Sequence, residues 1–259
     1  MSHFRIWSDL HLETGSWDLL WFDNAEGQYL ILAGDINELQ KTTKQEEALQ
    51  FFKKCNDSFI KVFYVAGNHE YWGTYVEKWD KMQEFFQSKD LNNIVVLQKG
   101  KFELEDLTIF GATMWYDAAH LNNGMPRAVL KQESKDFQYI NTNRRGTWSG
   151  VWPIDIVFWN YDHINWLKTE VSACTTKKLV ITHHAPTPFS KDPGFNNDHK
   201  EYVNDLDLTE IPADVWVHGH VHYSHYYIVD DVTVVSNPRG YEMYDAVNAK
   251  FDPQFTIEI

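Results

Sequence analysis

Cysteine is scarce in this chain: Cys55 and Cys174 are the two in 259 residues. Two thiols cannot build a disulfide framework, so a cross-linked secreted scaffold is excluded and a reducing, cytoplasmic compartment is expected. Positive charge is short as well. Lys and Arg number 23 against 37 Asp and Glu, a formal net charge of −14. A surface that acidic repels a phosphate backbone, so no extended nucleic-acid track is expected. No apolar run reaches the roughly 20 residues that span a bilayer, so no membrane partner is expected. The N-terminal MSHFRIWSDLHLE lacks the basic-then-apolar layout of a signal peptide. Repeats, low-complexity tracts and linkers are missing too. What remains is a globular chain, and its 43% hydrophobic residues are enough to bury a full core.

Histidine, by contrast, is plentiful. Six of the 12 fall in two stretches, His183-His184 and His218 to His225. Around them the chain alternates between strand-like and helix-like runs. Phe4–Asp9, Tyr29–Asp35 and Lys61–Asn68 read as buried strands. Thr43 with Glu46 and Thr74 with Glu77 look like capping boxes, each followed by apolar residues at helical spacing. This β-α-β-α rhythm predicts a parallel sheet covered by helices. A hairpin over Phe102–Leu104 and Leu107–Met114, a helix from about Asn160 to Ala173, and strands at Lys178–Thr182 and Val215–Val217 follow. The end reads as an antiparallel pattern at Tyr226–Val229, Thr233–Ser236 and Phe255–Ile259. Residues 116–155 and 186–212 fit no regular element and are lid or rim candidates.

Polar clusters sit where the predicted strands end: Asp9-Leu10-His11, Gly34-Asp35, Gly67-Asn68-His69-Glu70, His183-His184 and His218-Gly219-His220-Val221-His222. In an open α/β sheet such turns converge on one edge, where ligands bind. Oxygen and imidazole donors without thiolate suit Mn²⁺, Fe, Zn²⁺ or Mg²⁺ rather than a structural zinc site. Asp9 and His11, two apart on an extended chain, project the same way and can share an ion, as can His220 and His222. An aspartate such as Asp35 can bridge two ions, which together can clamp both oxygens of a phosphoryl displacement. Neighbours on an extended strand face opposite sides, so one of His183 and His184 faces the site. His183 is the choice, leaving His184 to touch substrate or pack. His218 reads as structural, and His3, His120, His163, His199 and His225 show no partner pattern.

The series DLH, GD, GNHE, HH-A-P and GH-V-H, in this order, resembles the calcineurin-like metallophosphoesterase superfamily. GATMWYD at 111–117, THHAP at 182–186, VSNPRGY at 235–241 and FDP at 251–253 resemble its bacterial and phage branch. The likeness covers nearly the whole chain, least securely over 118–155, and implies one domain over 1–259. It implies a four-layer α/β/β/α sandwich with a dinuclear centre at the C-terminal edge of the sheets. By motif, Asp9, His11 and His222 would hold one ion, Asn68, His183 and His220 the other, and Asp35 would bridge. Two divalent ions are implied, Mn²⁺ first, with Fe, Zn, Mg or Ni as alternatives. The implied activity is hydrolysis of a small phosphomonoester or phosphodiester, such as a nucleotide, by a metal-bound hydroxide, with His69 as outer-sphere acid.

One departure is informative. The protein phosphatase branch carries GDxxDRG, whereas here Gly34-Asp35-Ile36-Asn37-Glu38-Leu39 has no arginine for phosphate. Glu38 stands where that branch places the carboxylate that orients the catalytic histidine, so a His69–Glu38 pair is one expectation and a plain helix-start glutamate the other. Phosphate-binding cations must come from elsewhere, with Arg144, Arg145 and Arg239 as candidates. Trp148 and Trp152 are the rings whose loop setting suits stacking on a base. A nuclease, or a non-catalytic metal-binding and interaction protein on the same fold, are the alternatives. Nothing in the pattern specifies an oligomeric state.

Overall fold

Each central strand sends alternate residues into two different cores, because side chains along a strand alternate between faces. In the computed structural model, which describes residues 2–43, 45–121, 124–144, 146–192, 203–243 and 246–259, those cores define four layers. In chain order the strands are β1 (His3–Trp7), β2 (Tyr29–Ala33), β3 (Val62–Val65), β4 (Ile94–Leu97), β5 (Gly100–Leu104), β6 (Leu107–Ala112), β7 (Asn141–Arg144) and β8 (Thr147–Gly150). They continue with β9 (Lys177–Thr182), β10 (Val215–Val217), β11 (His225–Val229), β12 (Val232–Ser236), β13 (Gly240–Tyr241), β14 (Ala246–Val247) and β15 (Thr256–Glu258). One sheet has the order β15-β1-β2-β3-β4 and the other β11-β12-β10-β9-β6-β5. Both are parallel inside; the first is antiparallel at its β15 edge and the second at both edges.

Phe4, Ile6, Ile31, Ala33, Phe63 and Val65 of the first sheet face Ile109, Leu179, Ile181, Val217 and Val235 of the second, forming the inner core. Gly111 lets the sheets close. A Cβ there would lie 2.5 Å from that of Leu97 and 2.8 Å from Val65 Cγ1. On the outer face of the first sheet, Leu30, Leu32, Val62 and Tyr64 pack on Phe51, Phe52 and Cys55 of the helix Glu46–Ser58. On the outer face of the second, Val180, Trp216, Val232 and Val234 pack on Leu167 and Val171 of the helix Pro153–Ala173. The expected α/β/β/α sandwich is therefore present, and its last strand crosses back to pair with β1.

Three local expectations change. Thr43 does not cap the helix Glu46–Ser58, because its hydroxyl donates backward to the carbonyls of Leu39 and Gln40. Thr74 and Glu77 do not form a capping box either. Glu77 instead accepts from the Thr142 hydroxyl and the Asn143 N–H, anchoring β7, and it lies within a 3₁₀ turn, Val76–Lys81. The stretch 116–155 is not structureless: it holds helices Arg127–Glu133 and Asp136–Tyr139 and the β7–β8 hairpin. Its last residues begin the long helix, which starts at Pro153, a position where proline is pre-organised.

His163 shows what burial does to an imidazole. It lies inside that helix, its Nδ1 accepting the Met114 N–H at 3.0 Å, and burial depresses it to about 4. The unfolded chain takes up this proton below about pH 6.5, and the native protein resists until about pH 4. The stabilisation is therefore complete above the unfolded value and fades as pH falls through that window, by about 3 kcal/mol. In chelator, the urea-midpoint advantage of wild type over His163→Gln should shrink from pH 7.5 to pH 4; parallel curves would contradict this.

Candidate metal centre

The carboxyl ends of β1, β2, β3, β9 and β10 open on one edge of the stacked sheets, and each runs into a turn bearing polar side chains. These turns are bent more sharply than an extended chain. Asp9, His11, Asp35 and His220 all lie in the left-handed region, with φ between 47° and 68°. For non-glycine residues that costs about 1–2 kcal/mol each, tolerated where the surroundings over-determine the backbone. The extended-chain reason for pairing Asp9 with His11 is therefore replaced by a curled turn that aims both inward. Gly34, with φ 87°, precedes Asp35, and a Cβ on it would lie 2.6 Å from the Gly67 nitrogen.

Besides a set made by His11, Glu13 and His69, ligand-type atoms gather in two groups. In the first, His11 Nε2 and His222 Nε2 stand 3.2 Å apart, and Asp9 Oδ1 is 3.4 Å from His222 Nε2. In the second, His183 Nε2 lies 3.1 Å from His220 Nδ1, 3.1 Å from Asn68 Oδ1 and 3.4 Å from Asp35 Oδ2. Asp35 Oδ2 is also 3.9 Å from His11 Nε2, which sets one oxygen between the groups. Donors sharing an ion at about 2.1 Å are spaced by about 3.0–3.4 Å, so the residues fit divalent cations. Facing imidazole nitrogens gain little from each other and much from an ion between them. Burial pushes the Asp9 and Asp35 carboxyls up, but His222 and His183 respectively prevail and hold them down, ionised. Burial, helped by His183, keeps His220 well below the usual histidine range. Ionised carboxylate and neutral imidazole are the ligand forms. His183 is the exception, since burial opposes its charge but Asp35 raises it to about 9, so its proton must leave when metal binds.

A supporting layer fixes these atoms. The Glu70 carboxylate accepts from the backbone N–H groups of Asp35, Ile36 and Gly67 at 2.7–2.9 Å and from the Tyr64 hydroxyl at 2.8 Å, tying the turns after β2 and β3 together. Asp136 Oδ1 accepts from Asn68 Nδ2 and Trp72 Nε1, both at 2.9 Å, which turns the Asn68 carbonyl toward His183. Glu13 Oε1 lies 3.0 Å from Nδ1 of both His11 and His69. Burial works against that carboxylate's charge, and the bonds from His11 and His69 hold it down at about 2. Burial likewise opposes a charged His69, but Asp35 and Glu13 raise it to about 9.

The sequence-derived candidates divide accordingly. Asp9, His11, Asp35, Asn68, His69, His183, His220 and His222 come together. Glu38 does not meet His69: its carboxylate takes Lys41 at 2.9 Å, and the carboxylate that His69 meets is that of Glu13. His184 packs against Trp115 and Tyr116, its Nδ1 3.4 Å from the Thr113 carbonyl. Arg239 fixes a turn, bonding the Leu10 carbonyl and Glu242 beneath the Trp21 ring. The side chain of Arg144 and all of Arg145 lie outside the described residues. Trp148 stacks on Tyr75 and Trp152 on Arg127, and neither lines the cleft.

That cleft, of about 510 Å³, has Asp35, Asn68, His69, His220 and His222 on its wall, with Trp72, Tyr116 and Tyr241. Lys135 and Lys191 border it, one from each irregular stretch, alongside Glu133 and Asp192. Sequence reasoning passed over Glu13, Asp136, Tyr241 and both lysines. Glu13 carried a signal, standing two residues past His11 in DLHLE, and Tyr241 closes the VSNPRGY motif.

Comparison with known proteins gives the family and the fold. Residues 3–224 match the family described as calcineurin-like phosphoesterase. An uncharacterised protein of Acanthamoeba polyphaga mimivirus is 27% identical over 286 residues, covering 100% of this chain and 97% of that protein. The solved phosphopantetheinyl hydrolase of Mycobacterium tuberculosis superposes with a TM-score of 0.69 at 16% identity over 99% of both chains. A dimetal phosphatase from Danio rerio gives 0.52 at 16% identity, covering 91% of this chain and 86% of the other. At such identities the two solved structures speak for the fold alone. No helix among the described residues is long and apolar enough to cross a membrane. By the match over most of its length, the chain belongs to the calcineurin-like phosphoesterase family and is a phosphoric ester hydrolase.

Proposed function

We propose that this protein hydrolyses a small phosphomonoester or phosphodiester with two divalent ions, Mn²⁺ first among them. The observation that carries the reading is the pair of ligand groups meeting at Asp35 Oδ2 on the wall of a cleft sized for a small molecule. Asp9, His11 and His222 would hold one ion, Asn68, His183 and His220 the other, and Asp35 both. When bound, the ions supply Lewis-acid polarisation of the phosphoryl oxygens and activation of water.

The chain's own residues do the rest. Glu13 holds His69 by Nδ1, so His69 is oriented to supply a proton to the departing oxygen. Trp72 stacks on His69 with ring centroids 3.6 Å apart and fixes its plane. Lys135 and Lys191 supply the positive charge that an arginine after Asp35 would bring in the protein phosphatase branch. They sit at the rim, so their part is binding. Lys135→Ala and Lys191→Ala should each raise KM several-fold, with kcat within about a factor of three, as expected when ground and transition state lose the same contact. Unchanged KM in both would remove the lysines from substrate binding.

The reading takes the chain as one catalytic domain, with described residues of the stretches 116–155 and 186–212, Lys135 and Lys191 among them, at the substrate rim. Cys55 and Cys174 are free thiols, in keeping with a cytoplasmic setting. Two rim lysines facing Glu133 and Asp192 do not make a polymer track, which favours small esters over a nuclease. The test is turnover of an aryl phosphomonoester, its diester counterpart and single-stranded DNA by Mn²⁺-loaded protein. Turnover of a small ester is expected; DNA cleavage alone would overturn the substrate class.

A further inference from the structure

Both ring nitrogens of His69 are engaged. Nδ1 faces Glu13 Oε1 at 3.0 Å, and Nε2 faces the Tyr241 hydroxyl at 2.8 Å. The ring is pinned as well, stacked on Trp72 and edge-on to His11 at 4.4 Å. Tyr241 is held with equal firmness. Its ring stacks on His11 at 4.0 Å and 23°, and the residues before it hydrogen-bond to the turn after β1, Arg239 N–H to Ser8 and Gly240 N–H to Asp9. Tyr241 also lines the cleft. The nitrogen that would meet a departing oxygen thus meets a phenol first.

We propose that Tyr241 is the catalytic residue that touches the departing oxygen, in a relay Glu13–His69–Tyr241. This rests on the phosphoesterase reading and on His69 as its acid. As the phosphorus–oxygen bond breaks, its electron pair stays on the leaving oxygen, which takes the hydroxyl proton of Tyr241. The Tyr241 oxygen in turn takes the Nε2 proton of His69. The bonding pair remains on Nε2, so the imidazole ends neutral with its Nδ1–H still on Glu13. Nothing is oxidised or reduced, and one proton has moved from His69 to the product alcohol.

A relay of this kind makes the value of Tyr241 depend on the leaving group, because proton donation helps a basic leaving oxygen such as unsubstituted phenolate far more than a weakly basic one such as dinitrophenolate. The experiment compares Mn²⁺-loaded wild type, Tyr241→Phe, His69→Asn and the double variant on phenyl phosphate and on 2,4-dinitrophenyl phosphate. Tyr241→Phe should lose on the order of 10²-fold on phenyl phosphate and much less on the dinitrophenyl ester. The double variant should be no slower than His69→Asn. A Tyr241→Phe rate equal to wild type on both esters, an equal loss on both, or additive losses in the double variant would each overturn the relay. A second reading needs no turnover: in metal-free protein, the ¹⁵N signal of His69 Nε2 should move in Tyr241→Phe while Nδ1 stays, and an unmoved Nε2 signal also overturns it. A wild type inactive on every ester with metal bound would instead overturn the phosphoesterase reading, and the relay with it.

Discussion

Asp35→Asn should lower metal-dependent hydrolysis by at least about 10³-fold, the equivalent of several kcal/mol of lost transition-state stabilisation. Its Oδ2 is the atom between the two ligand groups, 3.4 Å from His183 Nε2 and 3.9 Å from His11 Nε2. Its Oδ1 has a separate task, accepting the His69 N–H at 2.8 Å. The amide can keep that second bond through its one oxygen, and it then presents an NH₂ group to the cations. The loss should therefore fall on activity and metal stoichiometry and spare the fold. Turnover by Asp35→Asn within tenfold of wild type, with two ions still bound, would contradict the bridging role.

Glu13→Gln should be nearly as damaging, by another route. One carboxylate oxygen serves both a proposed metal ligand, His11, and the proposed acid, His69. Losing the partner behind a ligating histidine typically costs about 10–100-fold in metal affinity. Misplacing the acid costs about 10²–10⁴-fold in rate. Gln can put its amide oxygen where Glu13 Oε1 stands, but that neutral oxygen accepts more weakly from both Nδ1–H groups and cannot balance an imidazolium. The measurement is kcat at saturating Mn²⁺ beside the Mn²⁺ dissociation constant. Loss of rate should persist when both sites are full, and a rate fully restored by excess metal would confine Glu13 to the His11 side. Glu13→Ala should also destabilise the metal-free protein by about 1–3 kcal/mol for each buried imidazole left without a partner.

The layers and the metal-facing turns were legible in the sequence for one physical reason. Strands such as Tyr29–Ala33 and Val62–Val65 are buried on both faces, so they read as unbroken apolar runs, and the turn after each run is local in sequence. What escaped were partners brought from far along the chain. Tyr241 reaches His69 across 172 residues, and Asp136 reaches Asn68 across 68. Asp136 lies in a stretch whose short helices carry too little apolar periodicity to be seen. Glu38 misled for the opposite reason. A position borrowed from a relative's motif cannot say which of two nearby carboxylates faces the ring, and the curl at Asp9 and His11 turns Glu13 inward. Thr43 and Thr74 misled because a Thr with Glu three residues later fits several local structures; a local back-bond to Leu39 decided at Thr43, and a long-range bond from Thr142 to Glu77 at Thr74.

The most direct single measurement counts bound metal and turnover on the same samples. Protein stripped with chelator is titrated with Mn²⁺, and hydrolysis of 4-nitrophenyl phosphate and bis(4-nitrophenyl) phosphate is followed at each step. The expected result is no turnover without metal, a rise that completes as the second ion per chain binds, and a preference for one of the two esters. Turnover that survives full removal of metal, or a protein that binds no ion at any Mn²⁺ concentration, would contradict a two-ion phosphoesterase built on Asp9, His11, Asp35, Asn68, His183, His220 and His222.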